Sequence, residues 1–487
     1  MKNKVHLITY PDSLGGNLSA LSQVLDKYFP GVFGGIHLLP PFPSTSDRGF
    51  APVTYKEIDP RFGSWQDVQK LSASHDVLLD FMVNHISRHS DYFQDFVRSG
   101  RESRYADLFI TLDKVWPDGR PVEADVQKIF LRRPLHPFLD VIIEKDASTE
   151  KIWATFGKAE ESEQIDIDVN SQAGREFIRE TLAFMASQGV STIRLDAVAF
   201  VIKRAGTNCF LVEPQMSEFL SWIHQQAHAL NIALLLEVHT QPEIQAQLAG
   251  QGYWVYNFVL PLLVLHTILY STSEALKVHL AAAPRRQITM LDCHDGIPVQ
   301  PDINGVLDAA SARRIVQYCE ERGANISRIY SKDHQGDQGF DAHQINCTYY
   351  SALDCDEDAY ILARAIQFFA PGIPQVYYVG LLTGENTPGE IDLQADRRAI
   401  NRYNFSIQEI NERIKIPVVQ RLLKLIRFRN ECPAFDGEFS VADCEDHRLI
   451  LGWMNKHHKV LLNVDLFTRK YKITWENSFG ETVEFTP

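Results

Sequence analysis

Val190-Ser-Thr-Ile-Arg-Leu-Asp-Ala-Val198 reads as a short strand, apolar along most of its length, with Arg194 and Asp196 near its end. Residues two apart share one side of a strand, so the guanidinium and the carboxylate stand together. Short runs buried on both faces suit parallel strands covered by helices. Seven more have this character: Val5–Tyr10, Gly35–Pro40, Val77–His85, Ala233–His239, Val255–Pro261, Ile288–Asp295 and Ile373–Gly380. Helical patterns lie between them. After Asn17, a suitable N-cap, Leu18, Leu21, Val24, Leu25 and Tyr28 repeat at helical spacing. Eight strands alternating with helices is the count of an α/β (β/α)8 TIM barrel. The alternative, an open doubly wound sheet, would carry a Gly-rich phosphate turn after its first strand, and this chain has none there.

The spacing of the runs is uneven. About a hundred residues separate the third from the fourth, too many for one helix and its loops, and a second long gap follows the seventh. The gaps predict an inserted domain B at 86–169 and an insertion B′ at 296–358. Both leave the carboxyl ends of strands, where barrel enzymes keep their active sites. The barrel then occupies 1–85, 170–295 and 359–437. Its last helix opens at Pro417. Arg448–Met454, Lys459–Asp465 and Lys470–Trp475 read as strands of a small C-terminal β domain, 438–487.

Charge narrows the partners. In 487 residues, Lys+Arg of 48 against Asp+Glu of 62 gives a net charge of −14, which repels nucleic acid and anionic lipid. An anionic substrate must therefore meet a local basic cluster. The opening Met1-Lys-Asn-Lys-Val5 is too polar and its apolar run too short for a signal-peptide core. Asn257, Pro261 and His266 interrupt Tyr253–Tyr270, the most membrane-like stretch, which reads as a buried strand passing into a buried helix. The seven cysteines are widely spaced without a C-x-x-C, which fits neither a disulfide framework nor a zinc ribbon. A cytoplasmic enzyme acting on small molecules is expected, with neither nucleic acid nor membrane as partner.

The strand ends supply its chemistry. Arg194 beside Asp196 is expected to hold that carboxylate ionised, as a nucleophile requires. Glu237 ends the strongly apolar Leu234-Leu-Leu run, where desolvation would raise its pKa, as a general acid needs. Met290-Leu-Asp-Cys-His294-Asp295 adds a third acid after a histidine, and Asp80-Phe-Met-Val-Asn84-His85 a further polar strand end. One charged strand end is commonly a structural ion pair; four on successive barrel strands point to a site. Two carboxylates in one pocket are the machinery of glycosyl transfer, held ~5–5.5 Å apart when configuration is retained. His85 and His89 stand at i, i+4 but lack an H-E-x-x-H pattern, so no metal is expected.

Asp80-x-x-x-Asn84-His85, Arg194-x-Asp196, Glu237 and His294-Asp295 resemble the four signature segments of the α-amylase-like glycoside hydrolases. The likeness covers almost the whole chain. It narrows to the sucrose phosphorylase subfamily through Leu7-Ile-Thr-Tyr10, Gly49-Phe50, Glu237-Val-His239, Asp295-Gly-Ile297, Gln344-Ile-Asn346, Thr348-Tyr-Tyr-Ser-Ala-Leu353, Gln375-Val-Tyr-Tyr-Val-Gly380 and Ile400-Asn-Arg402. The resemblance implies Asp196 as nucleophile, Glu237 as acid/base and Asp295 as the acid that stabilises the oxocarbenium-like state. It places Asp47, His85, Arg194, His294 and Arg398 around the donor glucose, with Phe50 and Phe156 as walls and Gln164 and Gln344 toward the acceptor. It implies no metal and no cofactor. The chain itself gives no oligomeric state; the resemblance points to a homodimer.

Phosphorolysis needs a cationic, partly dry acceptor site. Lys128, Arg132, Arg133, Lys332, His334 and His343 are the candidate cations on the insertions. An arginine pair suits phosphate because the guanidinium fork binds it bidentately. Asp341-Ala-His343-Gln344 carries histidine where ordinary sucrose phosphorylases have tyrosine. With Phe130-Leu-Arg-Arg and Thr155-Phe-Gly-Lys158 it looks most like the sucrose 6′-phosphate phosphorylase branch. That likeness implies that one of Arg132 and Arg133, together with His343, grips the phosphate on the fructose unit. Phe200 replaces a usual tyrosine and Asn257 a usual aspartate, which bears on acceptor choice. The rival readings are phosphorolysis of sucrose or glucosylglycerol, then a plain α-glucoside hydrolase. A catalytically inactive carbohydrate-binding protein conflicts with the presence of all three acids.

Overall fold

The computed structural model describes residues 1–331, 334–336, 339–387, 397–476 and 480–487. Eight strands close into a barrel: β1 His6–Thr9, β2 Gly35–Leu38, β3 Asp76–Met82, β4 Thr192–Asp196, β5 Ala233–Leu236, β6 Trp254–Asn257, β7 Gln287–Thr289 and β8 Ile373–Tyr377. Each lies beside its neighbour in sequence, and β8 returns to β1. This is the α/β TIM barrel expected from the apolar runs, with strands shorter than the runs.

Two differences have a local cause. The run Val77–His85 reads as one strand, but the strand stops at Met82, and His85 opens a separate one, His85–Ser87, antiparallel to Gln164–Asp166. The run Val255–Pro261 stops at Asn257, whose side-chain oxygen accepts from Leu260 N at 3.0 Å at the start of helix Leu260–Tyr270. A buried helix and a buried strand look alike by hydropathy, and Pro261 in the first helical turn marks the change. The first helix, Leu18–Tyr28, is capped as expected, Asn17 accepting from Ala20 N at 2.9 Å. No helix among the described residues is long and apolar enough to cross a membrane.

The chain forms two compact units. One comprises Leu38–Val238 and Ile329–Gln335 and holds β3, β4 and β5. Between β3 and β4 it carries two antiparallel pairs, His85–Ser87 with Gln164–Asp166 and Phe138–Ile142 with Thr149–Trp153. Ile110, Trp116, Phe138 and Trp153 belong to a buried cluster in this stretch, so the long excursion has a core of its own.

The other unit comprises Met1–His37, His239–Arg328 and Gly336–Pro487. After β7 it carries a three-stranded sheet of Ile297–Pro298, Ala342–Asn346 and Asn325–Arg328. It ends in a five-stranded antiparallel sheet: Glu438–Val441, Arg448–Asn455, His458–Asp465, Lys470–Glu476 and Thr482–Phe485. Only the middle three are legible as strands in the sequence. The outer two are largely exposed and only four residues long, too short for their alternation to stand out. Buried Trp453 ties this sheet to helix Glu357–Phe369 by donating from Nε1 to Phe369 O at 2.8 Å.

A buried ion pair stands behind the segment that leads to His294 and Asp295. Arg364 Nη2 meets Asp292 Oδ1 at 2.8 Å, with both side chains out of solvent. Tyr360 and Gln367, on the same helix, take the remaining guanidinium hydrogens. Removing one member leaves the other charge without compensation. Arg364→Met should therefore lower the unfolding free energy by about 3–5 kcal/mol, seen as an earlier urea midpoint at pH 7. A midpoint equal to the parent's would show that the pair carries no stability.

Candidate active site

The β3–β4 register sets Asp80 beside Arg194 and Met82 beside Asp196. From this position Arg194 serves three carboxylates. Nη1 contacts Asp80 and lies 3.0 Å from Asp196 Oδ1, while Nη2 lies 2.7 Å from Glu237 Oε1. Glu237, one residue past β5, also accepts from Ala197 N at 2.9 Å through its second oxygen.

The expectation that Arg194 favours the ionised form of Asp196 holds for its direction, but burial works against it. Burial pushes the Asp196 carboxyl well above the usual carboxylate range, the Glu237 charge adds to this, and Arg194 offsets only part of it. Burial is the foremost cause, and the offset is partial because one guanidinium is spread over three acids.

The loop before Ala51 supplies a wall. Asp47, Arg48 and Gly49 all have positive φ, and a Cβ on Gly49 would lie 2.6 Å from Pro40 O, so this tight turn requires glycine there. The turn delivers Phe50, whose ring lies 5.8 Å from the Arg194 guanidinium carbon. His85 Nε2 and Gln164 Nε2 both donate to Phe50 O at 3.0 Å. Burial pushes the His85 imidazole below its ordinary value, which fits a neutral ring with its hydrogen on Nε2; Asp47 is among the charges acting on it. His89 instead faces Glu163 at 3.4 Å, so the two histidines do not converge on one point.

Sequence reasoning missed the pair beneath this wall. Lys203 Nζ lies 2.7 Å from Asp166 Oδ2 and 2.7 Å from Asn84 Oδ1, and also donates to Phe200 O. Asp166 further accepts from Asn84 and Thr155. Both charges are buried, so each is satisfied by the other and by hydrogen bonds. The pair joins the strand partnered with His85–Ser87 to the segment that follows β4. Lys203 and Asp166 lie 37 residues apart, and neither carries a periodic signal.

The candidate acceptor cations have different surroundings. Arg132 lies 5.9–6.0 Å from the ring centres of Phe130, Phe156 and Phe200. Phe156 in turn meets His85 at 5.5 Å. Arg133 is buried, donates from Nη2 to Ala159 O at 2.7 Å, and has Nε and Nη1 without a hydrogen-bond partner. His334 stacks on Phe130 at 4.4 Å, helped by Ser331, which accepts from Leu131 N and donates to Ile129 O. Lys128 pairs with Asp125 in solvent, and Lys332 lies outside the described residues.

The second unit gathers the remaining candidates. Asp295 Oδ1 meets Arg398 Nη1 at 2.8 Å and Arg402 Nη2 at 3.7 Å, and Oδ2 meets His294 Nε2 at 3.4 Å. Arg402, which sequence reasoning placed only within a motif, also donates to His294 O. Cys293, His294 and Asp295 bring one donor atom each within 4.8 Å, and these side chains have protein partners in Gly296, Tyr10 and the two arginines. Gln344 and His343 lie on strand Ala342–Asn346, with Gln344 paired to Pro298 and Ser327.

Residues 12–269 match the family described as alpha amylase, catalytic domain. The chain is 55% identical to the sucrose 6(F)-phosphate phosphorylase of Thermoanaerobacterium thermosaccharolyticum, covering 100% of this chain and 99% of the relative. It is 41% identical to the sucrose phosphorylase of Streptococcus mutans over 99% of each chain. A crystal structure of sucrose 6F-phosphate phosphorylase from Thermoanaerobacter thermosaccharolyticum matches with a TM-score of 0.98 at 54% identity, over 100% of this chain and 99% of that one.

The crowding around Arg194 has a measurable cost. A carboxyl raised by folding destabilises the native state as pH climbs above its unfolded value of about 3.9. Asp196→Asn should therefore raise the urea midpoint at pH 7, with the gain fading below about pH 4, where both side chains are neutral. Urea midpoints at the two pH values test this, and equal stability of variant and parent at pH 7 would refute it.

Proposed function

We propose, because the chain belongs to the alpha-amylase family in the branch that holds the sucrose phosphorylases, that it catalyses retaining phosphorolysis of sucrose 6′-phosphate. The products are fructose 6-phosphate and α-glucose 1-phosphate. Full-length likeness to a relative that bears this name supports the reaction. One observation carries the choice of a phosphorylated sugar furthest: Arg133, a buried guanidinium with two unmatched N–H donors. An incoming phosphate is the ligand that would satisfy them.

In this reading Asp196 attacks the anomeric carbon as the bond to the fructosyl oxygen breaks. Glu237 gives that oxygen its proton, and fructose 6-phosphate leaves. Inorganic phosphate then attacks the glucosyl-enzyme while Glu237 takes its proton, and the ester to Asp196 breaks. Two inversions restore the α configuration. Asp295, held by Arg398 and Arg402, takes the role of the third acid, stabilising the oxocarbenium-like state. Asp47, His85, Arg194 and His294 serve the donor glucose, with Phe50 and Phe156 as its walls. Gln164, Gln344, Arg132, Arg133 and His343 serve the acceptor.

Glucose 1-phosphate release from sucrose 6′-phosphate, sucrose and glucosylglycerol at equal concentration tests the reading, and the phosphorylated sugar should be turned over fastest. Equal or better use of sucrose or glucosylglycerol would replace this function with that of the corresponding phosphorylase. Arg133→Ala and His343→Ala should each raise KM for sucrose 6′-phosphate about tenfold or more, with little effect on KM for sucrose. Asp196→Asn should lower kcat at least about a thousandfold; retained activity would overturn the mechanism.

A further inference from the structure

The ammonium of Lys203 meets three oxygens, those of the Asp166 carboxylate, the Asn84 amide and the Phe200 carbonyl. It has three hydrogens and no acceptor, so Asn84 must turn Oδ1 toward it. That choice leaves Asn84 Nδ2 to face Asp166 Oδ2 at 3.0 Å and His85 Nδ1 at 3.4 Å. One amide hydrogen goes to the carboxylate. The other meets an imidazole nitrogen that must be bare to receive it. At the opposite edge of the ring, His85 Nε2 lies 3.0 Å from Phe50 O, which only accepts. A donor-only group at one end and an acceptor-only group at the other thus specify the same tautomer, with hydrogen on Nε2 and none on Nδ1.

The same ammonium reaches the aromatic wall by two further routes. Asp166 accepts from both the backbone N–H and the hydroxyl of Thr155, the residue before Phe156. Phe200, whose carbonyl takes a Lys203 hydrogen, meets the Phe156 ring at 5.5 Å. All of these groups belong to the unit that contains Leu38–Val238. The charges acting on His85 are Asp166 and Asp47, which favour imidazolium, and Lys203, which with burial opposes it. Without Lys203 the ring would face a buried carboxylate stripped of its counter-charge, and an opposite charge nearby favours the protonated imidazole.

We propose that Lys203 is a positioning residue for the donor glucose, holding the Asn84 amide so that His85 keeps its hydrogen on Nε2 alone. It acts through Asn84 and His85 rather than on the reacting atoms. The inference rests on the phosphorolysis reading, which sets His85 at the donor glucose.

Lys203→Met keeps the length of the side chain and removes its charge and its three donors. In the full-length enzyme, kcat/KM for glucose 1-phosphate release should fall at least about tenfold relative to the parent at pH 6. At pH 8, where the ring loses its proton again, the fall should be less than about threefold. The factor should be the same for sucrose 6′-phosphate and sucrose, which share the glucosyl unit. A merely structural role would lower activity equally at both pH values, and that outcome overturns the proposal. A loss confined to the phosphorylated sugar would assign Lys203 to the acceptor and overturn it too. Nitrogen-15 spectra of the parent at pH 7 should show His85 with hydrogen on Nε2 alone. Hydrogen on Nδ1 sinks the proposal in a measurement that needs no variant and stands even if Lys203→Met fails to fold. A parent that releases no glucose 1-phosphate from either sugar fells the phosphorolysis reading, while the His85 spectrum still decides the tautomer, so the two failures are told apart.

Discussion

One guanidinium, that of Arg194, answers the carboxylates of Asp80, Asp196 and Glu237 from within the barrel wall. A planar fork with five donors suits this task, because its hydrogens point in fixed, separate directions. The demand reaches outward through the structure. Asp80 must stand opposite Arg194, which fixes the β3–β4 register; a slip of one residue would turn every side chain to the other face. Phe50 must lie over the guanidinium, so its carbonyl is gripped twice, by His85 and Gln164. The strand that carries His85 is in turn paired to one held by the buried Lys203–Asp166 contact. The donor side is therefore a sequence of supports, each satisfying a polar group that the previous one left buried.

Much of this is legible in the amino-acid sequence. The eight runs name the eight strands, because a parallel sheet buried on both faces leaves a hydropathic trace in every strand. Arg194 and Asp196 are legible as neighbours because strand geometry puts residues two apart on one side. What escapes such reading is of two kinds. The upward shift at Asp196 escapes because burial, its foremost cause, and the other acids that share Arg194 are set only by folding. Partners joined only by folding, such as Lys203 and Asp166, give no periodic or motif signal. The outer strands of the C-terminal sheet escape because four residues are too few for alternation to stand out.

Donor and acceptor chemistry are built from different materials. The proposed nucleophile and acid/base sit at or just beyond strand ends, where the barrel ladder limits movement. The proposed acceptor cations sit on excursions, steadied by stacked rings, a serine bridge and backbone carbonyls. Rigid support suits groups that must meet a reacting atom within tenths of an ångström, and loops suit groups that must recognise a leaving partner.

The aromatic cluster near Arg132 shows where this division leads. Phe130, Phe156, Phe200 and His334 come from four separate stretches of chain, and each contributes one ring. Among the described residues, no hydrogen-bond ladder links these stretches in the way that β3 is bound to β4. His334 and Phe130 lie furthest from the contacts of Arg194, whereas Phe156 packs on His85 and the Phe200 carbonyl accepts from Lys203. Over evolutionary time, a lineage with this architecture can trade one leaving group for another in single mutational steps, its bond-breaking apparatus inherited unchanged.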